Sequence, residues 1–316
     1  MRYYLIWSIL IMCCAPHWMS AQGENNSQTR FQFQEQKMGT TFRIIFYTRG
    51  AQHAGSTAKA AFKKVDELNQ IFSDYEADSE VSRLSAAAGN GQRIKVSREL
   101  WEVLWASHVI SARSNGAFDV SIGPLSKLWR RAQRQHEFPT DAQIAAAKSK
   151  VNYRWIKLYP QSQEVKLVKS GMRLDLGGIA KGYTVDKIKT VLESRGITSF
   201  LIDGGGDLLC GDSPPDGSSW QILSEAAEPV ALLEPVAIAA SGSTYQYLIW
   251  QQKKYSHLVH TDTGLGSTDE NVYYVKAQNC MIADALASTL GLVDDQTSRK
   301  LLSRFKAQRV YPEAIP

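Results

Sequence analysis

The 316-residue chain is 44% hydrophobic and 21% charged, with a formal net charge of +5. It is long enough to bury a substantial core and too apolar for a disordered chain. Its cations are scattered among acids apart from Arg130, Arg131 and Arg134, and no basic stripe is interleaved with aromatics, which excludes nucleic-acid binding as the expectation.

Arg2 opens the chain, and Tyr3 to Cys14 is an apolar run shorter than a bilayer span. Ser20 and Ala21 precede Gln22, so residues 1–21 read as a signal peptide cut after Ala21. Met12 and Cys13 stand before the two leader cysteines, where a lipid-attachment box has Gly or Ala, so cleavage is preferred to lipidation. An uncleaved anchor is the third reading. The expected location is periplasmic, or the outer face of the cytoplasmic membrane. Cleavage leaves Cys210 and Cys280, too few for a disulfide framework, read either as a pair or as two separate buried thiols.

Residues 22–30 are polar and read as a flexible leader, with residues 31–316 as one domain. Phe31, Phe33 and Phe42–Tyr47 pattern as strands. Ala58, Phe62, Val65, Leu68 and Phe72 recur at helical steps. Asp78 or Ser79 caps a following helix, Ser97 caps one running to Ser114, and Thr140 or Asp141 caps a shorter one. Strands are expected at 155–159, 164–168 and 172–176, then a helix at 180–192. Further strands are expected at 199–203, 236–240, 247–250, 257–260 and 272–275, with closing helices at 281–292 and 295–306. Helices and strands mix without βαβ alternation, and short turns join neighbouring strands. The class is α+β, with mixed, mostly antiparallel sheets and flanking helices.

Several segments carry chemistry-bearing residues. Asp175-Leu176-Gly177-Gly178-Ile179-Ala180-Lys181-Gly182 joins a strand end to a helix start. Glycines admit a ligand close to the backbone, and helix N-terminal amides with a lysine suit phosphate. The same pattern is also an ordinary strand-to-helix turn. Asp284 and Ser288, four apart, share a helix face and offer hard oxygens to a cation such as Mg²⁺; otherwise Asp284 is a cap or surface charge. Gly116-Ala117-Phe118-Asp119 either holds a planar ligand or is a turn whose Phe118 is core. His257 and His260 are proton carriers or structural strand histidines. Tyr75 is placed to stack on a ring. Gly204-Gly205-Gly206-Asp207 reads as a tight turn.

In this order and spacing the segments resemble the ApbE-type FAD:protein FMN transferase family. The resemblance rests on Met38-Gly39-Thr40, Gly116–Asp119, Gly123-Pro124-Leu125 with Trp129, Asp175–Gly182, Ser241-Gly242, His257 with Thr263-Gly264, and Ala283-Asp284-Ala285-Leu286. It implies an ApbE-like (T-fold-like) domain. It also implies that FMN from FAD is attached to a Thr or Ser of an acceptor flavoprotein, with Mg²⁺ required and AMP released. Met38, Tyr75, Ala117, Phe118, Asp119, Asp175, Lys181 and His257 would bind FAD. Lys181 and His257 would be catalytic, with Lys181 facing the pyrophosphate. Ala180, through its carbonyl, with Asp284 and Ser288 would hold the metal. Ser288 stands where the family usually has Thr, and His260-Thr261 replace an Asp-Pro. A Mg²⁺-dependent FAD pyrophosphatase and a non-catalytic FAD-binding protein are the alternatives for the same site.

Overall fold

A computed structural model describes residues 28–223, 229–232, 235–242 and 247–310. The signal-peptide reading, and the leader through residue 27, lie outside the described residues. The chain starts with β1 (Thr29–Lys37), β2 (Thr40–Thr48), α1 (Ala51–Phe72) and α2 (Glu80–Ala86). Next come β3 (Ile94–Lys95), α3 (Arg98–Arg113), α4 (Gly123–Gln135), α5 (Asp141–Lys148), β4 (Ile156–Tyr159) and β5 (Glu164–Leu167). Helix α6 (Ala180–Glu193) leads into β6 (Phe200–Gly204), β7 (Asp207–Cys210), β8 (Trp220–Leu223) and β9 (Pro229–Leu232). The last part holds β10 (Val236–Gly242), β11 (Tyr247–Trp250), β12 (Lys253–Ser256), β13 (Val272–Ala277), α7 (Cys280–Leu290), α8 (Asp295–Arg304) and β14 (Gln308–Val310).

The main sheet runs β1-β2-β6-β7-β10-β13-β14. Each neighbouring pair in it is antiparallel, as the α+β reading expects. Side chains alternate across a strand. Phe42, Ile44 and Phe46 of β2 therefore face α1 and α6, while Ile45 faces the opposite side with Leu201 and Trp220. Helix α1 buries Ala58, Phe62, Val65, Leu68 and Phe72 against the sheet and a neighbouring core. Burying such a Leu or Phe contributes roughly 1.5–3 kcal/mol. A second layer packs α2, α3 and the β3-β5-β4 sheet around residues 172–183. The two layers meet at the start of α6, which fixes where a site can form.

The caps follow the sequence closely. Ser79 accepts from Ser82 N, Ser97 from Leu100 N, and Thr140 with Gln143 forms a full capping box. Cys210 and Cys280 are separate, buried thiols. No helix among the described residues is long and apolar enough to cross a membrane.

Four expectations are corrected. Thr29 and Arg30 belong to β1, paired with Thr48 and Tyr47, so the leader does not reach residue 30; backbone pairing runs past the aromatic alternation. Met172–Leu176 is no ladder strand. Its backbone goes instead to a bridge between Arg173 and Ile122, to Ser85 Oγ from Leu174 N, and to Val120 O from Asp175 N. Residues 257–260 form a loop, reversed at Gly264 (φ +77°), with one bridge between Val259 and Gly266. Finally, Gly123 begins α4, a helix that the expected elements did not include, with Pro124 in the first turn where its missing N–H does no harm.

Candidate active site

The site is built around the first turn of α6. Ile179 N and Ala180 N both donate to Leu176 O, at 3.0 and 2.9 Å, which closes the Gly177-Gly178 turn and starts the helix. At Gly182 an added Cβ would lie 2.3 Å from Cys280 O and 2.8 Å from the Asp284 Cβ. Only glycine lets α6 and α7 approach this closely. The approach brings Gly182 N within 3.0 Å of Asp284 Oδ2, across 102 residues of sequence. Asp284 is thus neither a cap nor a surface charge: Asn279 caps α7, and Asp284 is 2% exposed. Ser288, one turn on, sits beside Gly178, where an added Cβ would be 3.2 Å from Ser288 Oγ and 3.5 Å from the Phe118 ring. Ser288 Oγ also lies 3.4 Å from Ser241 Oγ.

Lys181 points inward here, between two carboxylates. Its Nζ is 2.7 Å from Asp207 Oδ2 and 3.4 Å from both oxygens of Asp284. Burial opposes its charge, but Asp207 and Asp284 overcome that and raise its pKa above the usual lysine value. Asp207, 0% exposed at the start of β7, is raised as well: burial first, then the charge of Asp284, lift it to about 8 against the pull of Lys181. Asp207 Oδ1 is buried with no hydrogen-bond partner. Leaving such an atom bare costs about 1–3 kcal/mol. Two carboxyl groups thus share one ammonium, and Asp207 is the one whose charged form is disfavoured.

A second charged bracket stands upstream. Arg130 donates to Asp74 Oδ2 at 2.7 Å and to Asp175 Oδ2 at 2.6 Å, while Asp175 Oδ1 accepts from Gly177 N at 2.9 Å. The Arg130 guanidinium also covers the ring of Tyr75, 4.4 Å from its centroid, leaving Tyr75 74% exposed. Arg173 donates to Asp74 O and lies 3.7 Å from its carboxylate. This bracket fixes Asp175, and through it the glycine turn that begins α6.

The remaining predicted residues divide. Met38 and Gly39 form the two-residue hairpin between β1 and β2, both with positive φ, +50° and +76°. A methionine there is strained by roughly 1 kcal/mol or more. Its sulfur lies 3.5 Å from Thr184 Oγ1, which donates to Ala180 O at 2.8 Å, so Met38 belongs with the α6 turn. Phe118 is buried in the core and touches the Gly178 side of the site. Asp119 is spent on structure: it accepts from Ser121 N, Ser121 Oγ and Tyr153 N, each at 2.7 Å. Burial raises its pKa despite those bonds. Ala117 sits in the loop they hold, half-buried. Gly116 O accepts from Thr261 Oγ1 at 2.8 Å, so the residue replacing the family's proline ties the two loops together. His257 is exposed in the loop after β12.

A family model described as the ApbE family matches residues 38–311. The chain belongs to the ApbE family. A relative from Chlamydia muridarum (strain MoPn / Nigg), named FAD:protein FMN transferase, is 27% identical over 274 residues, covering 84% of this chain and 85% of that one. One of the same name from Escherichia coli (strain K12) is 25% identical over 283 residues, covering 84% and 79%. The solved flavin transferase ApbE of Vibrio cholerae matches with a TM-score of 0.75 at 24% identity, over 89% of this chain and 92% of that one. The ApbE protein of Thermotoga maritima gives 0.78 at 21% identity, over 90% and 96%. At those identities the structures establish the ApbE fold.

Asp207 and Arg130 are the site residues that the sequence left unassigned. The signal for Asp207 was present: an acid following three glycines and leading into Leu208-Leu209-Cys210 sits where a buried strand begins. Arg130 carried no comparable signal, because a cation beside Arg131 on a helix looks like a solvated face.

Proposed function

We propose that this chain is a Mg²⁺-dependent FAD:protein FMN transferase, which moves FMN from FAD to a Thr or Ser hydroxyl of an exported acceptor flavoprotein and releases AMP. One observation carries this reading: the Gly177–Gly182 turn and the distant Asp284 helix converge on a buried cluster in which Asp207 and Asp284 share the Lys181 ammonium.

The residues present fit a hard cation. Asp284 and Ser288 offer side-chain oxygens, and Ala180 O lies in the first turn of α6, where it accepts from Thr184 Oγ1. Asp207 Oδ1, buried without a partner, is a further oxygen at the same place. Among the described residues no three His, Cys, Asp or Glu side chains form a ready cage. That suits Mg²⁺, which keeps waters and shares its shell with substrate phosphates. Bound by Ala180, Asp284 and Ser288, Mg²⁺ would neutralise charge on the pyrophosphate as the bond between the two phosphates breaks.

The protein's own residues do the rest. The Gly177-Gly178 turn, which has no side chains in the way, lets the pyrophosphate approach the backbone beside Lys181. Asp284 would be among the residues that hold the cation, and Lys181, tethered by Asp207, would face the leaving AMP phosphate. Tyr75, backed by Arg130, offers a flat face for a ring of the dinucleotide, and Met38 and Phe118 supply apolar walls. The acceptor oxygen bonds to the FMN phosphorus, the bridging P–O bond opens, and AMP leaves with the electron pair. The hydroxyl proton passes to His257 or to a carboxylate of the cluster. Location outside the cytoplasm agrees with the chemistry, since covalently held FMN is not lost by diffusion.

The test incubates residues 22–316 with FAD, Mg²⁺ and an exported-protein fraction. Covalent flavin is read by in-gel fluorescence under denaturing conditions, and AMP by chromatography. A fluorescent acceptor band with equivalent AMP is expected. AMP with free FMN and no band would make the protein a pyrophosphatase. FAD bound but unchanged would make it a flavin-binding protein.

A further inference from the structure

A cleft of 610 Å³ lies beside the bracket just described, between α2, α4, α5 and residues 171–173. Lys127, Arg131, Arg134, Lys150 and Arg173 line it, and no carboxylate does. Lys127, Arg131 and Arg134 recur at four- and three-residue steps, so α4 presents them as one stripe while Arg130 serves the bracket. Among the described residues Lys127, Arg131, Arg134 and Lys150 form no ion pair with a carboxylate, in contrast to Arg130 and Arg173. Leu128, Pro124 and Ala146 contribute apolar surface between them.

We propose that this cleft docks an acidic segment of the acceptor protein, next to the site where its hydroxyl reacts. The inference rests on the transferase reading above. Three features favour a protein segment over other anions. A compact phosphate site gathers backbone N–H groups, but the N-termini of α2 and α5 are closed by Ser79 and Thr140, and at α4 Pro124 has no N–H while Leu125 N and Ser126 N turn back to Ile122 O. A single-stranded nucleic acid needs aromatic faces to stack on, and no aromatic side chain lines the cleft. Long, exposed cations over an apolar floor match a chain that alternates acidic and apolar side chains. Position supplies the last argument. Arg173 both lines the cleft and donates to Asp74 O, and the charge of Arg134 reaches the Tyr75 phenol. A segment held here lies alongside the residues proposed to hold FAD.

The probes are two short threonine-containing peptides, one rich in Glu, Asp and Leu and one with Gln and Asn in place of the acids, each fluorescein-labelled. Binding to the mature protein is followed by anisotropy with FAD and Mg²⁺ present, and FMN transfer by mass spectrometry. The acidic peptide is expected to bind at least about ten-fold more tightly than its neutral counterpart, an advantage lost at high salt. Combined Lys127→Glu, Arg131→Glu and Lys150→Glu should abolish that advantage and raise the KM for the acidic peptide, with kcat and FAD affinity unchanged. Equal binding of the two peptides by wild type, or an unaltered preference in the variant, overturns the proposal. Stoichiometric displacement of the peptide by inorganic phosphate also overturns it, in favour of a small-anion site. Transfer to neither peptide nor to any exported protein overturns the transferase reading, and the identity of the occupant with it, whatever the binding result.

Discussion

Helix α6 holds two charged clusters on two faces, and they are opposites. On one face Tyr183 and Lys187 meet Glu102 of α3, with Tyr183 Oη at 2.7 Å, Lys187 Nζ at 3.0 Å, and Arg98 Nε completing the set at 2.8 Å. Burial alone would raise Glu102, but these three donors outweigh it and bring its pKa down to about 2. On the other face Lys181 serves two carboxylates, and Asp207 rises to about 8 with one oxygen bare. The same helix thus carries one cluster whose carboxylate is fully paired and one whose carboxyl is destabilised in its charged form, and strongly shifted groups of the second kind mark candidate functional sites.

The contrast is broken most strongly at Asp284. Asp284→Asn should lower Mg²⁺-dependent turnover by at least about 100-fold, as loss of a metal-binding carboxylate does, while circular dichroism stays native. Normal turnover in that variant would remove Asp284 from the metal site.

Glu102→Gln tests the satisfied side. A carboxylate whose pKa is depressed on folding adds stability that is present above its unfolded value and is lost as pH falls through its folded value. For Glu102 the window runs from the ordinary 4.5 down to about 2. The variant should lose about 1–2 kcal/mol at neutral pH, discounted for partial solvent screening. The difference from wild type should shrink toward pH 2; a deficit that is independent of pH would mean that packing rather than charge is responsible. Asp207→Asn should give the smallest change in the metal-free protein, within about 1 kcal/mol, because the lost ion pair is offset by removal of a destabilised buried charge. The increment in melting temperature that Mg²⁺ with FAD adds should fall in the same variant. A large loss of apo stability would place Asp207 with Glu102, as a structural residue.

The legible parts of the fold were those governed by neighbours in sequence. Ser97 and Ser114 bound α3 as expected, Thr140 caps α5, and the buried stripe of α1 matches its helical spacing. Backbone that is satisfied from elsewhere was less legible. Residues 172–176 looked like a strand because they alternate, yet their partners are Val120, Ile122 and a serine side chain. Helix α4 was hidden by its low apolar content and its Gly-Pro start, although Trp129 is 1% exposed and donates to Gly264 O at 2.9 Å.

The site divides along the same line. Sequence by itself determined the residue types that suit pyrophosphate and a hard cation, their order along the chain, and their likeness to the ApbE family. Tertiary structure decided which of them meet. It turned Lys181 inward, brought in Asp207 and Arg130, and set Asp119 among the donors of Ser121 and Tyr153. The physical reason is range. Caps and periodic stripes act within a few residues, whereas a buried carboxylate takes its charge state from whatever the fold brings beside it, here across the 102 residues between Gly182 and Asp284.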